Sequence, residues 1–259
     1  MRPTVRLGTF SGIDIGLHWT VALVAVLFTV TLSGSLLPDA APGFATGAYV
    51  MVAMSTALLF LGSVVAHELG HSVVARRNGV GIEGITLFAL GGVAVMSSEP
   101  RRPGPAFRIA IAGPLVSVGV GAVALGAAFG AARLGLSDLS VVAIMWLGIV
   151  NLVLAGFNML PALPLDGGRV LQAALWRRSG DRLRATVTAA GAGRLIGGAL
   201  MLLGAYWVFT GGDGLWTAFI GWFIASSAKA EELLARRRIA EREWQRAHGV
   251  PSDESVIDV

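Results

Sequence analysis

Residues 48–75 form one long apolar run broken only by His67-Glu68-Leu69-Gly70-His71. Few folds are open to a chain that places three ionisable side chains inside such a run. At about 1.5 Å per residue the run is long enough, as a helix, to cross a hydrocarbon core of about 30 Å. Ionisable groups inside a span cost roughly 2.5–3.5 kcal/mol each on insertion scales and by default mark function. The plainer alternative is a core helix of a soluble protein, its histidines bonded to one another. Composition weighs against that. Hydrophobic residues make up 54% of the chain and charged residues 14%, whereas soluble domains carry about 25% charged residues.

On a helix, His67 and His71 project from one face, one turn apart, and their imidazoles can share a metal. Glu68 reaches the same cavity and can take a proton from a water there. This is the H-E-x-x-H arrangement of zinc hydrolases. The chain has no cysteine, so neither disulfides nor thiolate ligands are available. Its remaining histidines are His18 and His248. His18, beside Trp19 at the start of an apolar run, reads as interfacial, so a third ligand is expected to be a carboxylate.

Taken in order, residues 5–10 and 13–17 alternate polar and apolar around Ser11-Gly12 and read as a short hairpin. The apolar run 17–37 is too long for a secretory leader and reads as a first span, ending before Pro38. Span two, 48–78, carries the motif in its last third. His71 then lies roughly 10 Å inside the helix end that Arg76, Arg77 and Gly79 mark. Residues 80–98, with β-branched residues and a Gly91-Gly92 turn, read as a second hairpin, apolar on both faces. Because open sheet edges are not tolerated against lipid, this segment should be buried in protein or line a wet cavity. Its edge, at Gly91, Gly92, Val93 and Val95, could receive an extended peptide by strand addition. A mere re-entrant connector is the other reading.

Span three, 107–133, carries Gly113, Ser117 and Gly121 at a spacing that lets helices approach closely. Span four, 141–160, runs into Asn158-Met-Leu-Pro161-Ala-Leu-Pro164-Leu-Asp166-Gly-Gly168. The two prolines cannot continue a helix, and broken backbone at membrane depth implies a cavity. Asp166 supplies the carboxylate that the histidine pair lacks, or caps the helix 169–178, and the two roles are compatible. Span five is expected at 186–210, with Arg194 snorkelling to the interface, and a short span six at 215–228. Residues 229–248 form a charged helix, with Glu232 and Arg236 paired one turn apart. The domains are therefore 1–228, six spans, and 229–259, a cytoplasmic helix and tail.

All lysines and arginines except Arg133 fall on the side of the termini or at helix ends facing it. The positive-inside rule places both termini in the cytoplasm of a multi-pass cell-membrane protein. The net charge of +4 is spread as topology signals rather than as a separate basic domain, which excludes nucleic acid as a partner.

These motifs, in this order, resemble the site-2 protease family of intramembrane metalloproteases. The resemblance rests on His67-Glu68-Leu69-Gly70-His71, on Asn158-x-x-Pro161-x-x-Pro164-x-Asp166-Gly167, and on the Gly91-Gly92 segment between spans two and three. It covers roughly residues 5–225. It implies a polytopic α-helical membrane protein of six transmembrane helices with short membrane-associated β-hairpins near the active site. It implies Zn²⁺ held by His67, His71 and Asp166, with Glu68 as general base and acid and Asn158 near the metal, assisting the oxyanion or the substrate backbone. The implied partners are a single-span transmembrane substrate and membrane lipid, and the reaction is regulated intramembrane proteolysis that frees a cytoplasmic fragment such as a transcription regulator or an anti-sigma piece. A homodimer is one assembly this admits. The branch it resembles often carries C-terminal CBS domains, and residues 252–259 look like the opening of one. That leaves open a natural chain that continues past Val259, with nucleotide as a partner only if such a module is present. Rival readings are a multi-span transporter with a metal site and a catalytically inert membrane scaffold. The first does not need Glu68, and the second would be expected to have lost Glu68 or Asp166.

Overall fold

The structure, a computed structural model, describes residues 4–10, 12–88, 91–96 and 98–249. The stretch 252–259 and the side chains of Val93 and Val95 lie outside what is described. Among the described residues, five stretches are long and apolar enough to cross a membrane: Thr20–Ala40, Thr46–Arg77, Pro103–Arg133, Asp138–Asn158 and Arg182–Phe209. The stretch expected as span six opens a single helix, Leu215–Ala247, that continues unbroken into the charged residues. It is not among the five, because its apolar part runs out at Lys229.

The first compact unit comprises Met1–Glu99 and Ala112–Phe157. It begins with β1 (Val5–Phe10) and β2 (Ile13–Leu17), followed by helix α1 (Thr20–Thr31). A wide π-helical turn at Leu32–Leu36 leads into α2 (Leu37–Ala40). The helical path therefore runs through Pro38 instead of stopping before it. A proline has no N–H to donate and crowds the carbonyl four residues earlier, and a widened turn just ahead of it takes up the mismatch.

Helix α3 (Thr46–Arg77) precedes β3 (Ile82–Phe88) and β4 (Gly91–Met96), and α4 (Pro103–Arg133) and α5 (Asp138–Asn158) follow. The strands do not form two separate pairs. They join in one sheet of order β1-β2-β3-β4, with β2 and β3 parallel and the outer pairings antiparallel. The parallel pairing of Ile15 with Ile85 needs a long crossover, which α1 to α3 provide. Gly91 and Gly92 are not the turn: they pair with Phe88 and Leu87 as the first residues of β4.

The inner face of the sheet, with Ile13, Ile85 and Leu87, packs with Val21 against Leu61, Val64, Val65 and Leu69. These α3 residues surround the motif, so the sheet fixes the turns of α3 that carry His67 and Glu68. The rings of Phe28, Phe60 and Trp146 meet edge to face at 5.1–6.0 Å and tie α1, α3 and α5 together. Helices α4 and α5 touch at Gly121 and Gly148, where a Cβ on either would lie 3.0–3.1 Å from the other's carbonyl oxygen.

The second unit comprises Pro100–Ile111 and Asn158–Val259. Its helices are α6 (Asp166–Ser179), α7 (Arg182–Phe209) and α8 (Leu215–Ala247), with the first residues of α4. Gly197 and Gly204 of α7 mesh with Gly221 of α8 and Gly214 at its N-cap. A Cβ on Gly197 would lie 2.7 Å from Gly221 O, and one on Gly204 would strike Ala218. Glycines seven apart on each side stay on one seam, and their small size lets the backbones touch.

Arg194 has an acidic partner on α8. Its Nη1 donates to Glu232 Oε2 at 2.8 Å, and Arg236 Nε donates to Glu232 Oε1 at 2.8 Å. The buried Glu232 thus joins α7 to α8. These hydrogen bonds, Arg194's first and Arg236's second, hold the Glu232 carboxyl below its ordinary pKa of 4.5. A carboxylate with a depressed folded-state pKa stabilises the fold above its unfolded pKa, and that stability is lost as pH falls through the folded value. Wild type is therefore expected to unfold at higher temperature than Glu232→Gln at neutral pH, with the gap closing as pH drops below about 4.5. Thermal unfolding of both proteins in detergent from pH 7 to pH 3 measures this. A gap that stays constant over that range overturns the assignment.

Candidate metal centre and catalytic site

His67 and His71 are 4% and 8% exposed, buried in the first unit. Their Nε2 atoms face each other at 3.2 Å, with the rings tilted edge to face. Two nitrogens bound to one tetrahedral zinc, each at about 2.0–2.1 Å, lie about 3.3–3.4 Å apart. The observed spacing therefore suits a shared ion as well as a shared proton.

A second observation bears on the ion. Gly113 of α4 lies opposite, where a Cβ would strike His71 Nε2 and come within 2.6 Å of His67 Nε2. The backbone leaves room where the two Nε2 atoms converge, and any larger residue would fill it. The donor set, two imidazoles, fits zinc. Gly70, inside the motif, lets α4 close on this turn: its Cβ would meet Val116 Cγ2 at 2.8 Å and Ala112 O at 3.1 Å. The other imidazole nitrogen, His67 Nδ1, is 2.9 Å from the hydroxyl of the fully buried Ser117.

Glu68 lies against the sheet. A Cβ on Gly92 would strike Glu68 Cγ, reach 2.6 Å from Cδ and lie 3.0 Å from Oε1. Gly92 is thus a glycine because the carboxyl occupies the space above it. The structure brings together His67, His71, Glu68 and Gly92, with Gly91, Val93 and Val95 along the same strand, β4, the last in the sheet order.

Asn158 and Asp166 belong to the second unit. Asn158 ends α5, and Asp166 is the first residue of α6, with Leu165 rather than Asp166 at the N-cap. A Cβ on Gly167 would strike the carbonyls of Met159 and Leu160, and one on Gly168 would strike Leu163 N. The glycine pair thus lets residues 159–163 fold back on the helix turn that carries Asp166. His18 bonds Thr20 at the start of α1, and His248 bonds Trp244 O on α8.

Sequence reasoning misses Gly113 and Ser117 as site residues. Their signal is present as small residues four apart on α4, a pattern that ordinary helix packing also produces.

These features describe a polytopic-type helical chain with a buried histidine pair and a carboxylate on one helix. Comparison with known proteins makes that class more specific. Residues 55–133 and 131–204 match peptidase family M50. A Mycobacterium tuberculosis protein named "Putative zinc metalloprotease Rip3" is 41% identical over the whole chain, which spans 68% of that protein. A zinc metalloprotease of Methanocaldococcus jannaschii is 38% identical over 79% of this chain and 55% of its own length. Among solved structures, a site-2 protease from Methanocaldococcus jannaschii aligns with a TM-score of 0.56 at 33% identity, covering 88% of this chain and 94% of that one. The chain belongs to peptidase family M50, the site-2 protease family.

Proposed function

We propose that this protein is an intramembrane zinc metalloprotease that hydrolyses a peptide bond within or beside the transmembrane segment of a single-span substrate. The observation that carries the reading is a histidine pair whose Nε2 atoms face each other at 3.2 Å on a helix apolar enough to cross a membrane. In this reading His67, His71 and Asp166 hold Zn²⁺. When bound, zinc supplies a Lewis acid for a water and for the scissile carbonyl.

Glu68 takes a proton from the attacking water and returns one to the leaving amine. Asn158 donates to the oxyanion or to the substrate backbone. A helical substrate must unwind to expose its peptide bond. The outer edge of β4, last in the sheet among the described residues, receives the extended segment beside Glu68 at Gly91, Gly92, Val93 and Val95. The chain lies in the cell membrane with six spans, the sixth being the apolar start of α8, and with both termini cytoplasmic, as its basic residues suggest. The freed product is a cytoplasmic fragment of a regulator.

The test is reconstitution of the full chain in liposomes with single-span substrates. One zinc per chain by mass spectrometry, a cut mapped within or next to the span, and loss of cutting on chelation with recovery on added zinc are expected. Cutting confined to water-exposed loops, or indifferent to chelation, overturns the proposal.

A further inference from the structure

Many serines and threonines in these helices spend their hydroxyl on the carbonyl one turn back: Thr29 on Ala25, Ser33 on Thr29, Ser55 on Met51, Thr56 on Val52 and Ser226 on Trp222. This is the usual resting place of such a group in an apolar helix. Ser117 departs from it. Fully buried on α4, its Oγ is directed at His67 Nδ1, 2.9 Å away. One turn earlier on the same face, Gly113 leaves the space into which both Nε2 atoms point. The 113/117 face of α4 thus meets both ends of the His67 ring.

We infer that Ser117 is a positioning residue that holds the His67 ring with its Nε2 turned toward zinc. The inference rests on the zinc reading above and goes beyond it. A hydroxyl can accept or donate. With zinc, His67 carries its proton on Nδ1 and donates it to Ser117 Oγ, so Nε2 offers a bare lone pair to the metal. Without zinc, Ser117 donates to Nδ1, and His67 Nε2–H donates to His71 Nε2 across the 3.2 Å gap. Between the two states the imidazole gives up its Nε2 proton and takes one at Nδ1, and its charge is unchanged. The hydroxyl can thereby keep its hydrogen bond to His67 Nδ1 in both states.

Zinc affinity of the full chain in detergent, by competition with a chromophoric chelator, tests this without any cleavage assay. Four variants are compared with wild type: Ser117→Ala, Ser117→Thr, Ser117→Val and His67→Ala, each checked for native helicity. Threonine and valine have nearly the same shape, so that pair isolates the hydroxyl. Ser117→Ala and Ser117→Val are expected to bind zinc about 10- to 100-fold more weakly, the range for lost partners of metal-ligating histidines. Ser117→Thr should stay within a few-fold of wild type. If Ser117→Ala binds as tightly as wild type, or threonine fails as badly as valine, the role of Ser117 is overturned while the zinc site stands. If wild type itself takes up no zinc, the zinc reading fails and this inference falls with it.

Discussion

Glu68→Gln is expected to slow cleavage by about 10²- to 10⁴-fold, the usual cost of removing a general base, while zinc stays at one per chain. Glutamine keeps the length and planar end of the side chain, so the close contact with Gly92 and the seat of β4 on α3 survive. What it loses is basicity: a neutral amide cannot take the proton of an attacking water, nor give one to the leaving amine. Because Glu68 is not among the proposed ligands, the His67–His71 pair is undisturbed. Zinc content by mass spectrometry and single-turnover cleavage on the same preparation separate these effects. Near-wild-type cleavage would remove Glu68 from the chemistry, and a metal-binding transporter would become the better reading of the same helix.

The features legible in the amino-acid sequence are those that depend on residues close together along the chain. The histidine pair is set by helical period, the apolar runs by bilayer thickness, and the break near Pro161 and Pro164 by missing N–H groups. The misread features depend on contacts that sequence periodicity does not encode. The parallel pairing of Ile15 with Ile85 crosses three helices, so each local strand pair reads as a hairpin of its own. Gly91 and Gly92 suggest a turn because glycine commonly makes one, whereas Gly92 is small to admit the Glu68 carboxyl. The pairing of Arg194 with Glu232 is equally invisible in the sequence, because the two lie 38 residues apart. Pro38 reads as a stop because a widened turn that relieves it leaves no mark in composition. Gly113, Ser117 and Gly121 form one small-residue stripe, and only the three-dimensional packing divides it: Gly121 meets α5, while the other two meet histidines.

That division predicts the other large effect. Gly113→Ala is expected to abolish zinc binding, and cleavage with it, while leaving the fold intact. On helix propensity alone the change should stabilise α4 by about 1 kcal/mol, since glycine is a poor residue in a helix interior. At an open position of the same helix, such as Gly119 or Gly126, alanine would therefore be tolerated or favoured. Here the added methyl strikes His71 Nε2 and stands within 2.6 Å of His67 Nε2, on the side where the two nitrogens converge. Either the rings swing away, separating the pair, or the methyl stays and occupies the place of the ion. Both outcomes remove two of the proposed ligands at once, a larger loss than Ser117→Ala, which only releases the ring from behind. Zinc content after dialysis, with helicity and thermal unfolding in parallel, reads the result. Full zinc occupancy in a well-folded Gly113→Ala protein would mean that the ion does not sit between these nitrogens.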